Sequence, residues 1–68
     1  MVTVAVDAMG GDYSPEEIIQ GGLDALKKDT QVVIKLVGNS KIINKVLEEK
    51  ESYDKSRLFI VPASEVIT

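Results

Sequence analysis

The chain has neither cysteine nor histidine among its 68 residues. Without cysteine there are no disulfides and no thiolate metal sites. Without histidine the commonest metal ligand and the usual general base are both missing. The lack of cysteine is compatible with a reducing compartment. Basic residues are outnumbered, 8 against 11 acidic, and the two signs are interspersed to give a formal net charge of −3. No basic stripe exists, which argues against nucleic acid as a partner. No apolar run approaches the roughly 20 residues of a membrane span. The start has no basic segment ahead of an apolar one, so no signal peptide is read.

What is present is short and alternating. The runs Val2-Thr3-Val4-Ala5-Val6, Gln31-Val32-Val33-Ile34-Lys35-Leu36-Val37 and Leu58-Phe59-Ile60-Val61 are rich in β-branched residues. Continuous apolar runs of this length predict strands buried on both faces, as in parallel sheets. Lys35 is the one interior charge, and it places its strand near an edge or sends its amine out to water. Between the runs lie two helical segments. Ser14 is the N-cap of the first, with Pro15 at the first helical position and Glu17 three residues past the cap. Ile18, Ile19, Leu23 and Leu26 form its apolar stripe. Gly21-Gly22 in mid-helix is unfavourable by about 1 kcal/mol per glycine, which close approach to the sheet would explain. The second helix is read from about Ser40 to about Glu51, with Ile42, Ile43, Val46 and Leu47 as its buried stripe. Residues 52–56 are a polar loop.

The order is β-α-β-α-β, which implies parallel strands and right-handed crossovers. A globule of this size buries only about 60% of its unfolded surface and is marginal alone. The first strand begins at residue 2, as a native start would. The last five residues stop without a terminal helix, as a cut chain would. Residues 1–68 are therefore expected to be the N-terminal portion of a larger single α/β domain.

Ligands of parallel α/β sheets sit beyond the carboxyl ends of the strands. Two such ends are visible. Asp7-Ala8-Met9-Gly10-Gly11-Asp12 runs from the first strand into the N-terminus of the first helix. Gly38-Asn39-Ser40 joins the second strand to the second helix. If these strands are adjacent, glycine amides and two helix N-termini face one cleft that suits an anion. A second reading stands beside this one, and geometry alone favours it. Gly10 and Gly11 supply positive φ for a turn, Asp7 satisfies loop amides, and Asp12 stabilises the turn. Asn39 or Ser40 is a helix cap. Met9 anchors the loop in the core, and Tyr13 and Tyr53 pack over neighbouring helices. Nucleotide motifs are missing: Gly10-Gly11 has no third glycine in register for a dinucleotide fingerprint, and no Gly-Lys-Ser/Thr triplet occurs.

The stretch Val4-Ala5-Val6-Asp7-Ala8-Met9-Gly10-Gly11-Asp12, with Pro15 following, closely resembles the N-terminal signature of the PlsX family of bacterial phosphate acyltransferases. Leu36-Val37-Gly38 before a helix and Glu65-Val66-Ile67 after the third strand are similar too. The resemblance runs the length of the chain and covers about the first fifth of a family member. It implies a three-layer α/β/α fold with a parallel sheet, akin to isopropylmalate dehydrogenases. It implies transfer of a fatty acyl group from acyl carrier protein to inorganic phosphate, giving an acyl phosphate for phospholipid synthesis. It further implies a cytoplasmic homodimer, peripheral at the membrane, whose product feeds a glycerol-phosphate acyltransferase. No cofactor and no metal are expected. Asp7, Gly10, Gly11 and Asp12 are carried over as active-site-loop residues, and Asn39 and Ser40 stand as a candidate anion-binding helix start. The main catalytic groups are expected beyond Thr68, and residues 1–68 alone are expected to be inactive. The alternative is a small phosphate-binding α/β module without catalysis.

Overall fold

The computed structural model describes residues 1–50 and 52–63. Its elements are β1 (Val2–Asp7), α1 (Pro15–Lys28), β2 (Val32–Gly38), α2 (Ser40–Glu48), a short 3-10 turn (Lys55–Arg57) and β3 (Leu58–Pro62). The expected alternation is observed, and both strand pairs are parallel. The second helix ends at Glu48 with Glu49 as its C-cap, short of the expected end at about Glu51. The family-like Glu65-Val66-Ile67 lies outside the described residues.

Local chemistry sets the helix starts. Ser14 is extended, and its hydroxyl accepts the amide N–H of Glu17 at 3.2 Å, with Pro15 opening the helix. That satisfies one of the amides a helix start leaves free. Asn39 does the same for α2, accepting from Lys41 N–H at 2.9 Å and Ile42 N–H at 3.2 Å. Lys27 and Lys28 close α1, where cations complement the helix dipole.

The strand order is β1-β2-β3. Two right-handed crossovers taken in the same direction place both helices on one face of the sheet. The core lies there. Ile19, Leu23 and Leu26 of α1 and Ile43 and Leu47 of α2 pack on Val32, Ile34, Leu36 and Leu58. These side chains alternate along β2 with Val33, Lys35 and Val37, which face the other way.

Several expectations change here. Among the described residues the helices cover one face only, and chiefly over β2 and β3, since Val2 and Val4 on the same face of β1 are 63% and 40% exposed. The described residues thus make two of the three layers that the resemblance implies. β2 is the central strand, not an edge, and Lys35 is exposed because it lies on the uncovered face. Ile42 is 42% exposed, because the buried stripe of α2 runs through Ile43 and Leu47. Gly22 is buried, but a β-carbon there would sit at an ordinary 3.5 Å from Ile34, and one at Gly21 would meet nothing within 4 Å. Close approach therefore accounts for neither glycine. Residues 55 and 56, read as loop, belong to the 3-10 turn Lys55–Arg57.

That turn presents Arg57. Its Nε donates to Asp54 Oδ2 at 2.8 Å, and its Nη atoms donate to the carbonyls of Leu26 and Asp29 at 2.8 Å and Val32 at 2.9 Å. One guanidinium thus ties the end of α1 to the starts of β2 and β3. The hydroxyl of Ser56, then Arg57, holds the Asp54 carboxyl down at about 2.

Candidate functional site

β1 and β2 are adjacent, so their carboxyl-end loops open at the same edge of the sheet. The first loop leaves the sheet through Ala8, whose N–H donates to Val37 O at 2.8 Å. Ala8, fully buried, fills the core position expected of Met9. Met9 is 37% exposed and lies across Gly38: a β-carbon at Gly38 would stand 2.7 Å from Met9 Cγ. The two loops therefore meet through this contact.

Asp7 shapes the first loop. Its Oδ1 accepts Met9 N–H at 2.9 Å, an Asx turn. Its other oxygen lies over Gly10, where a β-carbon would be 2.7 Å away. Gly10 is thus required for space and not for positive φ, which corrects the sequence reading. Gly11 does adopt a left-handed conformation, with φ 77°, and nothing lies within 4 Å of where its β-carbon would be. Its peptide faces open space. Asp12 is exposed and, among the described residues, accepts no hydrogen bond.

Behind this loop is a cavity of about 430 Å³, lined by Met9, Gly38, Asn39, Ser40, Lys41, Pro62 and Ala63. It sits over the carboxyl ends of β2 and β3. A larger depression of about 630 Å³ runs along α1 past Glu16, Glu17, Asp24 and Lys50. Its acidic lining does not suit an anion, and it is not at the strand ends, so the smaller cavity is the candidate site. The capping bonds limit what the helix starts offer. Asn39 takes the Lys41 and Ile42 amides, Ser14 takes that of Glu17, and Pro15 has none. Glu16 N–H and Ser40 N–H remain as first-turn donors without a cap.

Residues 2–68 match the family described as fatty acid synthesis protein. The chain belongs to that family. Three relatives carry the name phosphate acyltransferase. The protein of Dictyoglomus thermophilum is 48% identical over 94% of this chain and 18% of its own length. That of Syntrophomonas wolfei is 48% identical over 96% of this chain and 20% of its own. That of Pseudomonas fluorescens (strain Pf0-1) is 42% identical over 96% of this chain and 19% of its own. The chain thus spans about a fifth of the relatives it matches.

Within this member of the family, the structure sorts the residues singled out from sequence. Asn39 and Ser40 line the cavity. Asp7, Gly10, Gly11 and Asp12 form the adjoining loop and reach the cavity through Met9. Lys41, Pro62 and Ala63 line it without having been singled out from sequence. Lys41 brings a cation to the cavity. Its signal was its place just past the cap of a helix that starts at a strand end. Met9 was assigned to the core. Arg57 is at the opposite end of the sheet, where its guanidinium donates to Asp54 and to three backbone carbonyls. Tyr13 is 68% exposed, contrary to the packing expected of it, whereas Tyr53 packs against the core. Among the described residues, no group of acidic side chains could hold a metal ion. No helix among them is long and apolar enough to cross a membrane.

Proposed function

We propose that residues 1–68 are the N-terminal β-α-β-α-β unit of a phosphate acyltransferase. The whole protein would move a fatty acyl group from acyl carrier protein to inorganic phosphate. The observation that carries this reading is the match over nearly the whole chain to relatives named phosphate acyltransferase. The meeting of the two strand-end loops beside a cavity supports it.

A phosphate oxygen attacks the thioester carbonyl carbon, and the carbonyl oxygen takes up negative charge. When the tetrahedral species collapses, the carbon–sulfur bond breaks. The acyl group leaves on phosphate and the carrier leaves as a thiolate that takes a proton. Such a site must hold one anion and stabilise another. In this proposal the peptides of Gly10 and Gly11 and the amide of Ser40 contribute donors, while Asn39 fixes the start of α2. Asp7 sets the loop's shape. Asp12 lies on its rim. Lys41 adds positive charge. The remaining groups come from the rest of the protein. A cytoplasmic homodimer that touches the membrane peripherally and hands acyl phosphate to a glycerol-phosphate acyltransferase completes the proposal.

The test is thiol release from acyl carrier protein by the full-length enzyme. Release that requires inorganic phosphate supports the reading; release without it, or none, rejects it. The lack of any nucleophile or base of the histidine or cysteine type favours a second reading, a phosphate-binding module. Saturable shifts of the Gly10 and Gly11 amides on phosphate titration, with no acyl transfer by the full protein, would select it.

A further inference from the structure

Among the described residues, nothing covers the second face of the sheet. Thr3, Ala5 and Asp7 of β1, Val33, Lys35 and Val37 of β2, and Phe59 and Val61 of β3 share it by register. Phe59 is 49% exposed. Over β2 and β3 the face is apolar except at its centre, where Lys35 stands between Ala5 and Phe59. On β1, Thr3 and Asp7 also lie on it, and the Asp7 carboxylate is engaged with Met9 N–H. Among the described residues, the one ion pair joins Arg57 to Asp54, so Lys35 has no carboxylate partner there.

All-parallel sheets occur almost only with both faces covered. Topology says what kind of element can cover this one. Among the described residues the sheet ends at β1 on one side and at β3 on the other. The crossovers that build β1-β2-β3 run one way and put their helices on one face. A right-handed crossover that returns from β3 to a strand beside β1 runs the other way, and its helix lands on the open face. That helix would bury the surroundings of Lys35. An ammonium buried without a partner is strongly unfavourable, whereas one that is paired and hydrogen-bonded is tolerated.

We propose that a crossover helix of the same polypeptide, C-terminal to β3, lies on this face and brings an aspartate or glutamate to Lys35. The proposal rests on reading residues 1–68 as one unit of a longer protein. The pair specifies how the helix sits: its carboxylate must lie over the central strand, midway along β2.

Zero-length carbodiimide coupling of the full-length protein tests this, because it joins an amine only to a carboxylate in contact with it. Peptide mapping should find Lys35 linked to an acidic residue C-terminal to β3. In a mixture of isotopically light and heavy protein, every such link should join like with like. Acetylation of Lys35 should be at least about tenfold slower than that of exposed Lys27 and Lys28, equivalent to about 1.4 kcal/mol of protection. Light-to-heavy links would give the face to a second copy and overturn the proposal. Acetylation as fast as at Lys27, or protection with no link, would also overturn it. Thiol release from the same preparation separates the two readings. An active enzyme with an unpaired Lys35 rejects the helix contact alone. A linked Lys35 in a protein without phosphate-dependent release rejects the proposed activity alone.

Discussion

The carboxylate of Asp7 occupies the space that a side chain at Gly10 would need, with Oδ2 only 2.7 Å from the position of a β-carbon. The same carboxylate holds Met9 N–H through its other oxygen. Alanine at Gly10 must therefore push Asp7 off Met9. The expected loss is about 1–3 kcal/mol, the value of a hydrogen bond to a charged group. In an Asp7→Ala background the obstacle is gone, and the same substitution should cost much less. A double-mutant cycle by denaturant unfolding measures the difference; additive effects would show that the two residues are uncoupled.

Gly21 lies in the interior of α1, exposed, with nothing within 4 Å of its missing β-carbon. Gly21→Ala should stabilise the protein by about 0.5–1 kcal/mol through helix propensity alone. A higher Tm is the expected readout. A lower one would mean that this surface of α1 is packed in the full protein.

Arg57 reaches Leu26, Asp29 and Val32 carbonyls together with Asp54. Lysine cannot reproduce that planar fork. Arg57→Lys should destabilise by about 2–3 kcal/mol, since it removes guanidinium donors from the part-buried carbonyls of Leu26 and Val32. Phosphate dependence of the enzyme, measured as KM for phosphate, should not change, because Arg57 is at the far end of the sheet. A raised KM would place it near the substrate.

Asp54 gives a pH signature. Ser56 and Arg57 lower its carboxyl from the ordinary 3.8 to about 2. A lowered folded-state value favours the folded protein above the ordinary value, and the advantage fades as pH falls from 3.8 towards about 2. Asp54→Asn should flatten this part of the pH–Tm profile relative to wild type. Parallel profiles between these pH values would exclude the linkage.

The features legible in the sequence were those governed by near neighbours. Ser14, Pro15 and Glu17 lie within one turn, so the start of α1 could be read directly. The alternation of apolar runs and amphipathic stretches gave the β-α-β-α-β order for the same reason. The rest depended on distant partners. Lys35 suits an edge strand or an uncovered face equally, and only the strand order separates these. The duty of Arg57 depends on carbonyls 25 and 31 residues away, at Val32 and Leu26. At the site, the pairing of β1 with β2 had to be known before Met9 could be placed against Gly38. Lys41 could be assigned to the cavity only once β3 brought Pro62 opposite the start of α2.

The central claim is that this unit belongs to an enzyme that uses phosphate to release acyl groups from carrier protein. The direct measurement is the rate of free-thiol appearance from acyl carrier protein with the full-length protein, as inorganic phosphate is raised from zero. The account predicts no release at zero phosphate, saturable release as phosphate rises, and one acyl phosphate formed per thiol. Release independent of phosphate, or none at any concentration, would contradict it.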